Sequence, residues 1–199
     1  MDDPLDMTPP RPIQPRGGLC YDQGMTDPLP DQHPAFLAPD QLLTECDQTF
    51  TRRSGPGGQN RNKVETAVIL KHRPTGLEAE ANERRTQGEN RREALHRLRL
   101  LLALKVRTLS GALDREAPSS LWQSRCRGGR VMVNTGHDDF PALLAEALDA
   151  ITAADFDPRS AAQHLGCSSS QLIKLIQQEP RALLWWNDRR LERGQHRLH

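Results

Sequence analysis

Aromatic residues are scarce in this 199-residue chain, only 4% of the total, and no apolar stretch approaches the roughly 18 to 20 residues that a membrane-spanning helix needs. The greasiest segment is the leucine-rich run at 100–104, so no membrane contact is expected. A secretory signal needs a basic start and an apolar centre, and an organelle transit peptide is rich in arginine and poor in acids; the acidic, proline-rich start has neither character. A cytoplasmic location follows as an expectation. Cysteine is sparse as well. Cys20, Cys46, Cys126 and Cys167 form no C-x-x-C pair, which argues against a zinc ribbon or a disulfide framework and for free thiols. His137-Asp138-Asp139 and His196-x-x-His199 lack partners at ligand spacing, so no metal site is expected.

Net charge is also nearly absent, at +1, but that sum conceals three blocks. Residues 1–50 hold nine acids and two bases, residues 52–107 fourteen bases and six acids, and residues 108–199 eleven of each. A strongly basic centre points to nucleic acid as a partner.

The acidic block carries nine of the fifteen prolines before Asp40, with too few apolar residues to offset the entropy of ordering, so residues 1–38 read as a disordered leader. A short helix is expected from Pro39, with Asp40 as N-cap and Leu42, Leu43 and Cys46 on its apolar face, followed by an extended stretch over 49–53. The segment 64–71 reads as a strand, Pro74-Thr75-Gly76 as a turn and 77–81 as the returning strand. Residues 89–107 form a long helix by their spacing: Ala94, Leu95, Leu98, Leu101 and Leu102 make one face, and Arg91, Arg92, His96 and Arg99 fall on a cationic one. Residues 108–120 read as a linker. Beyond it lie a glycine-bearing basic turn at 125–130, a helix over 140–152 capped by Asp139, two short helices with helix-turn-helix spacing over 158–178, and a helix over 181–193 that buries one of Trp185 and Trp186. The fold class expected is α+β: a small mixed sheet with a long packed helix and a protruding glycine loop, plus a mainly helical C-terminal module over 121–199.

The loop Ser54-Gly55-Pro56-Gly57-Gly58-Gln59-Asn60 is the most unusual feature. No regular element tolerates such a density of glycine and proline, and no Lys-Ser/Thr follows to make a phosphate-binding loop. Gly57 and Gly58 free the backbone, while Gln59 brings a backbone N–H and a neutral amide but no titratable group. Such a tip can position, exclude water or donate to an oxyanion; it cannot be a general base. Arg52, Arg53, Arg61 and Lys63 flank it, and Arg84, Arg85, Arg91 and Arg92 extend the cationic set, which suits delivery of an uncharged tip into an RNA-walled pocket.

Residues 53–68, the Pro74-Thr75-Gly76 turn and the run Glu83-Arg84-Arg85-Thr86-Gln87-x-Glu89-Asn90-Arg91 together resemble the catalytic domain of class I peptide-chain release factors. The resemblance covers residues 39–107. It implies that the tip enters the ribosomal peptidyl-transferase centre, where Gly57, Gly58 and Gln59 help to place water and stabilise charge as the peptidyl-tRNA ester is hydrolysed. It implies ribosomal RNA and peptidyl-tRNA as partners, no cofactor, a monomer, and a glutamine methyltransferase acting on the Gln59 amide. One well-placed oxyanion donor is worth about 3 kcal/mol in enzymes generally. Neither a codon-reading domain nor the family's N-terminal helical domain is expected in the remaining length, so the chain is similar to stand-alone relatives that free stalled ribosomes. Those relatives carry a strongly basic tail. Here a neutral module intervenes and only Arg189, Arg190, Arg193, His196, Arg197 and His199 supply positive or titratable charge near residue 199, while Arg61 stands where the family most often has an apolar residue. Two other readings remain open on sequence grounds: a non-catalytic RNA- or DNA-binding regulator, and a hydrolase acting on split large subunits.

Overall fold

The structure, a computed structural model, describes residues 32–52, 66–108 and 117–199. Helix α1 (Pro39–Thr44) starts at Pro39 as expected, but Asp40 is not its N-cap. Pro39 takes the first helical position, where its missing N–H costs nothing, so Ala38 is the N-cap and Asp40 lies in the first turn. Cys46 leaves the helix and opens strand β1 (Cys46–Thr51), its thiol donating to the Leu42 carbonyl at 3.1 Å. Strands β2 (Ala67–His72) and β3 (Glu78–Ala81) complete a three-stranded sheet of order β1-β2-β3. Both ladders are antiparallel, where a mixed sheet was expected. The turn joining β2 to β3 is too short for a parallel crossover, and Gly76 supplies its left-handed residue at φ +68°.

Helix α2 (Gln87–Lys105) begins in a reciprocal capping box: the Thr86 hydroxyl accepts from the Glu89 N–H, and the Glu89 carboxylate accepts from the Thr86 N–H. Its Ala94, Leu95, Leu98 and Leu102 cover Val68, Leu70 and Ala81 of the sheet. The opposite face is not wholly cationic. Ala103, with Leu100 and Leu104 at its margin, belongs to a second core built by the C-terminal helices. Arg99, expected on the solvated face, is buried there and donates from Nε and Nη2 to the Ala35 carbonyl (3.2 and 2.8 Å) and from Nη1 to the Asp138 carbonyl at 2.7 Å. The module docks against α2, so the position that sequence periodicity assigns to water is an interior joint.

The same joint orders the end of the segment read as a disordered leader. His33 and Ala35 are buried around a short 3-10 turn (Pro34–Phe36), because the groove beside α2 supplies the apolar contacts that local composition lacks.

The module comprises α3 (Ser120–Arg125), a hairpin of β4 (Cys126–Arg127) and β5 (Arg130–Val131), α4 (Phe140–Ala153), α5 (Pro158–His164), α6 (Ser169–Gln177) and α7 (Pro180–Glu192). Asp139 occupies the N-cap of α4 without capping it through its side chain, because Arg125 holds that carboxylate from Nε and Nη2 at 2.8 and 2.6 Å. Helix α4 is buried along most of its length and carries Phe140, Leu143, Leu144, Leu148 and Ile151 into the core. Trp122 and Trp186 are fully packed, with their indole N–H groups satisfied by the Leu165 carbonyl (2.7 Å) and the Phe156 carbonyl (3.1 Å). The pair Trp185-Trp186 thus splits: Trp186 is core, and Trp185 lies partly exposed under the Arg107 guanidinium, 4.5 Å from its ring centre.

Candidate functional site

The glycine tip lies outside the described residues, and with it Arg53, Gly57, Gly58, Gln59, Arg61 and Lys63. The described structure provides the base from which that segment departs and returns. The β1–β2 register pairs Thr51 with Ala67, so Arg52 and Thr66 leave the sheet side by side on adjacent strands. A two-stranded ladder with one face against α2 fixes where the two ends of the segment 53–65 are anchored.

Asn90, in the first turn of α2, secures the outgoing end. It is fully buried, and its Nδ2 donates to the Thr66 carbonyl at 2.7 Å and to the Arg84 carbonyl at 3.1 Å, while its Oδ1 accepts from the Arg84 N–H at 2.8 Å. One amide therefore joins the loop base, the turn after β3 and the start of the long helix. Asn90 falls inside the motif run from Glu83 to Arg91, but the periodicity of α2 places it beside a solvated first turn and gives no hint of this role.

Arg97 organises the same turn from one side. It donates to the Glu80 carbonyl at 2.8 Å and pairs with Glu83 at 2.7 Å and Glu93 at 3.3 Å; Glu93 also lies 3.6 Å from Arg84. These pairs are largely exposed and contribute little to stability; what they fix is the placement of Arg84. Burial would raise the Glu83 carboxyl, but the hydrogen bond from Arg97, with backbone donors, holds it below its ordinary range. The Thr86 hydroxyl and backbone N–H likewise lower Glu89. Arg97 was readable from its i,i+4 relation to Glu93, although the family motif does not feature it.

Of the expected RNA contacts, Arg52, Arg84, Arg85, Arg91 and Arg92 are described and all are exposed. They occupy the strand end, the turn and the first helical turn that Asn90 ties together. Arg85 and Arg91 form no ion pair among the described residues, while Arg92 lies close enough to the Glu89 carboxylate to help lower it.

A cleft of about 430 Å³ lies at the other end of α2, bordered by His33, Thr108, Ser119, Glu146 and Asp149. Its carboxylates are already engaged: Thr108 donates to Asp149 from its hydroxyl at 2.6 Å, and Ser119 donates to Glu146 from its N–H at 2.7 Å and its hydroxyl at 2.5 Å. Burial raises the Asp149 carboxyl despite those donors. This cleft belongs to the joint between the two cores. Among the described residues no cluster of three metal-ligating side chains occurs, and no helix is long and apolar enough to cross a membrane.

Residues 43–125 match the RF-1 domain, and this part of the chain is similar to peptide chain release factors. It is 45% identical over 74 residues to the chloroplastic peptide chain release factor PrfB1 of Arabidopsis thaliana, covering 37% of this chain and 16% of that protein. With peptide chain release factor 1 of Leuconostoc citreum it shares 48% over 75 residues, 37% of this chain and 20% of the relative. With the factor of the same name from Leptothrix cholodnii it shares 34% over 133 residues, 62% of this chain and 36% of the relative. The chain thus spans between about a sixth and about a third of the length of these relatives.

Proposed function

We propose that this protein hydrolyses the peptidyl-tRNA ester on the ribosome and does so without reading a codon, releasing nascent chains from stalled complexes in the cytoplasm. The observation that carries the reading is the Gly57-Gly58-Gln59 segment set between Arg52 and Thr66, inside the region that matches the RF-1 domain. Water is the nucleophile and no cofactor is required. Gly57 and Gly58 give the backbone its freedom, Gln59 offers its N–H to the developing charge and its side chain to exclude bulk water, and ribosomal RNA forms the rest of the site. Arg52, Arg53, Arg61, Lys63, Arg84, Arg85, Arg91 and Arg92 dock the domain on that RNA, with Gln59 as the substrate of a glutamine methyltransferase.

The C-terminal module is a helical bundle packed on α2. In that bundle the arginines of the segment read as a basic tail are mostly engaged. Arg189 pairs with Glu192 at 2.9 Å, Arg193 pairs with Asp155 at 2.7 Å, and Arg190 donates to the carbonyls of Phe156 and His196 at 2.8 and 2.9 Å. The test is release of labelled peptide from ribosomes stalled on a message without a stop codon. Wild type should release it and Gly58→Ala should bind without releasing, since an added Cβ penalises positive φ and leaves every charge in place. Full release by the variant, or none by wild type, overturns the reading. Parallel reactions on isolated large subunits carrying peptidyl-tRNA distinguish action on intact ribosomes from action on split ones.

A further inference from the structure

The β4–β5 hairpin of the C-terminal module places two arginines opposite one another. Arg127 and Arg130 are register partners across the Gly128-Gly129 turn, and both are exposed. Like charges directly across a ladder destabilise it, and neither arginine has a carboxylate partner among the described residues. Four other arginines of the module have acidic partners: Arg125 pairs with Asp139 at 2.6 Å, Arg181 with Glu179 at 2.7 Å, and Arg189 and Arg193 have the partners given above. The hairpin thus sets two like charges face to face with no acidic partner among the described residues.

The pair is also held in place. Gly128 and Gly129 are both left-handed, at φ +56° and +75°, which makes a tight two-residue turn. The Ser168 N–H donates to the Gly129 carbonyl at 3.4 Å, setting the turn beside the start of α6, the second helix of the helix-turn-helix pair. The Cys126 thiol leans on the Gly166 carbonyl at 3.7 Å, and Cys126, Val131 and Val133 pack on the helical core. Met132, two residues beyond Arg130 and on the same side by strand alternation, is 67% exposed.

We propose that this hairpin, with the adjoining start of α6, is a docking surface for the phosphate backbone of double-stranded RNA. The duplex form follows from what surrounds the arginines. Single-strand binding relies on aromatic platforms, and the nearby Trp122 and Phe140 are fully buried with no face to offer a base. Two guanidiniums set across a rigid turn suit phosphates and shape recognition instead. The choice of RNA over DNA rests on the ribosomal function proposed above, whereas duplex binding itself does not. Because the module is fixed to α2, the hairpin would act as a second RNA contact at a set distance from the loop base.

The full chain is titrated against a short fluorescent RNA duplex, with its DNA counterpart and the separate RNA strand as comparisons. Arg127→Glu/Arg130→Glu should weaken duplex RNA binding about tenfold or more and lower the slope of log affinity against log salt by about two. Arg127→Lys/Arg130→Lys should stay within roughly threefold of wild type, because charge is kept. Should the reversed variant fold poorly, Arg127→Gln/Arg130→Gln must still lower the salt slope. Unchanged affinity and slope in the charge variants overturns the proposal, as does a hairpin-dependent preference for the single strand or for duplex DNA. Gly58→Ala serves as the control: it should bind the duplex as wild type does even if the hydrolase reading fails, so the two failures are separable.

Discussion

The side-chain amide of Asn90 donates to the carbonyl of Thr66, 24 positions earlier in sequence and 2.7 Å away, from a site with no exposure to solvent. The first residue described after the glycine segment is thereby pinned to the start of the long helix. Replacing Asn90 with alanine removes three hydrogen bonds and strands buried backbone groups, at an expected cost of about 2 to 3 kcal/mol. Asn90→Asp should cost more, since a carboxylate oxygen would then face two carbonyl oxygens. Urea unfolding reads both. Peptide release by whatever Asn90→Ala protein remains folded should fall mainly in kcat, because the docking arginines are untouched while the loop base loosens. Equal stability of the two variants and wild type would show that the amide holds nothing.

Arg99 makes a second prediction. Its guanidinium spans the Ala35 and Asp138 carbonyls, and burial lowers its pKa while the neighbouring Asp138 and Asp139 charges act in the opposite sense. Arg99→Met keeps the stem and deletes the fork, leaving two carbonyls short of donors. A loss of about 2 kcal/mol is expected, together with faster proteolysis at residues 32–38, which should be visible as early trimming before global unfolding. Arg99→Lys should recover little, since one ammonium cannot reproduce three directed bonds.

These two residues also mark how far sequence reasoning reaches. The β2–β3 hairpin, the long helix, the helix-turn-helix spacing and the helix bearing Trp186 were legible because each is written in local periodicity, turn chemistry or caps. The order of residues 32–38 was not: His33 and Ala35 are held by Val106 and Arg99, more than sixty positions away. Arg99 itself reads as a surface residue until a second core is known to cover its helix face. At the site, the glycine tip and its flanking bases stood out by composition, whereas Asn90 and Arg97 act through backbone atoms of Thr66, Glu80 and Arg84, and no residue pattern encodes such partners.

His33 gives a pH dependence of definite sign. Its Nδ1 accepts from the Ala35 N–H at 3.0 Å, which leaves Nε2 to carry the proton and donate to the Val106 carbonyl at 3.2 Å. Burial, with the Arg107 charge adding to it and the Val106 bond opposing it, lowers the pKa from 6.5 to about 4. The unfolded chain therefore binds a proton that the native state refuses. The contribution is fully present above about pH 6.5 and is lost as pH falls toward 4, reaching about 3 kcal/mol. Asp149, whose carboxyl burial raises, slopes the other way through its own titration, so the comparison of interest is wild type minus His33→Gln. That difference should change across the interval from pH 6.5 to 4 and stay flat above it, as measured by denaturant midpoints; a constant difference would mean the histidine is not held neutral.

The residues after α7 fold back onto it. The Leu198 N–H donates to the Asn187 Oδ1 at 2.7 Å, Asn187 Nδ2 returns a bond to the Leu198 carbonyl at 3.1 Å, and the Leu198 side chain packs at the edge of the helical core. A segment bound in this way contributes to folding. Removing residues 195–199 should therefore cost about 1 to 3 kcal/mol through an unpaired, nearly buried Asn187 and lost apolar contact, while the remaining folded protein still releases peptide from stalled ribosomes. Arg197→Glu, which reverses an exposed charge without touching those bonds, should leave both the melting temperature and release as they are. The opposite pattern, unchanged stability with release abolished by either change, would assign the tail to the ribosome and take that role away from the folded face of the module.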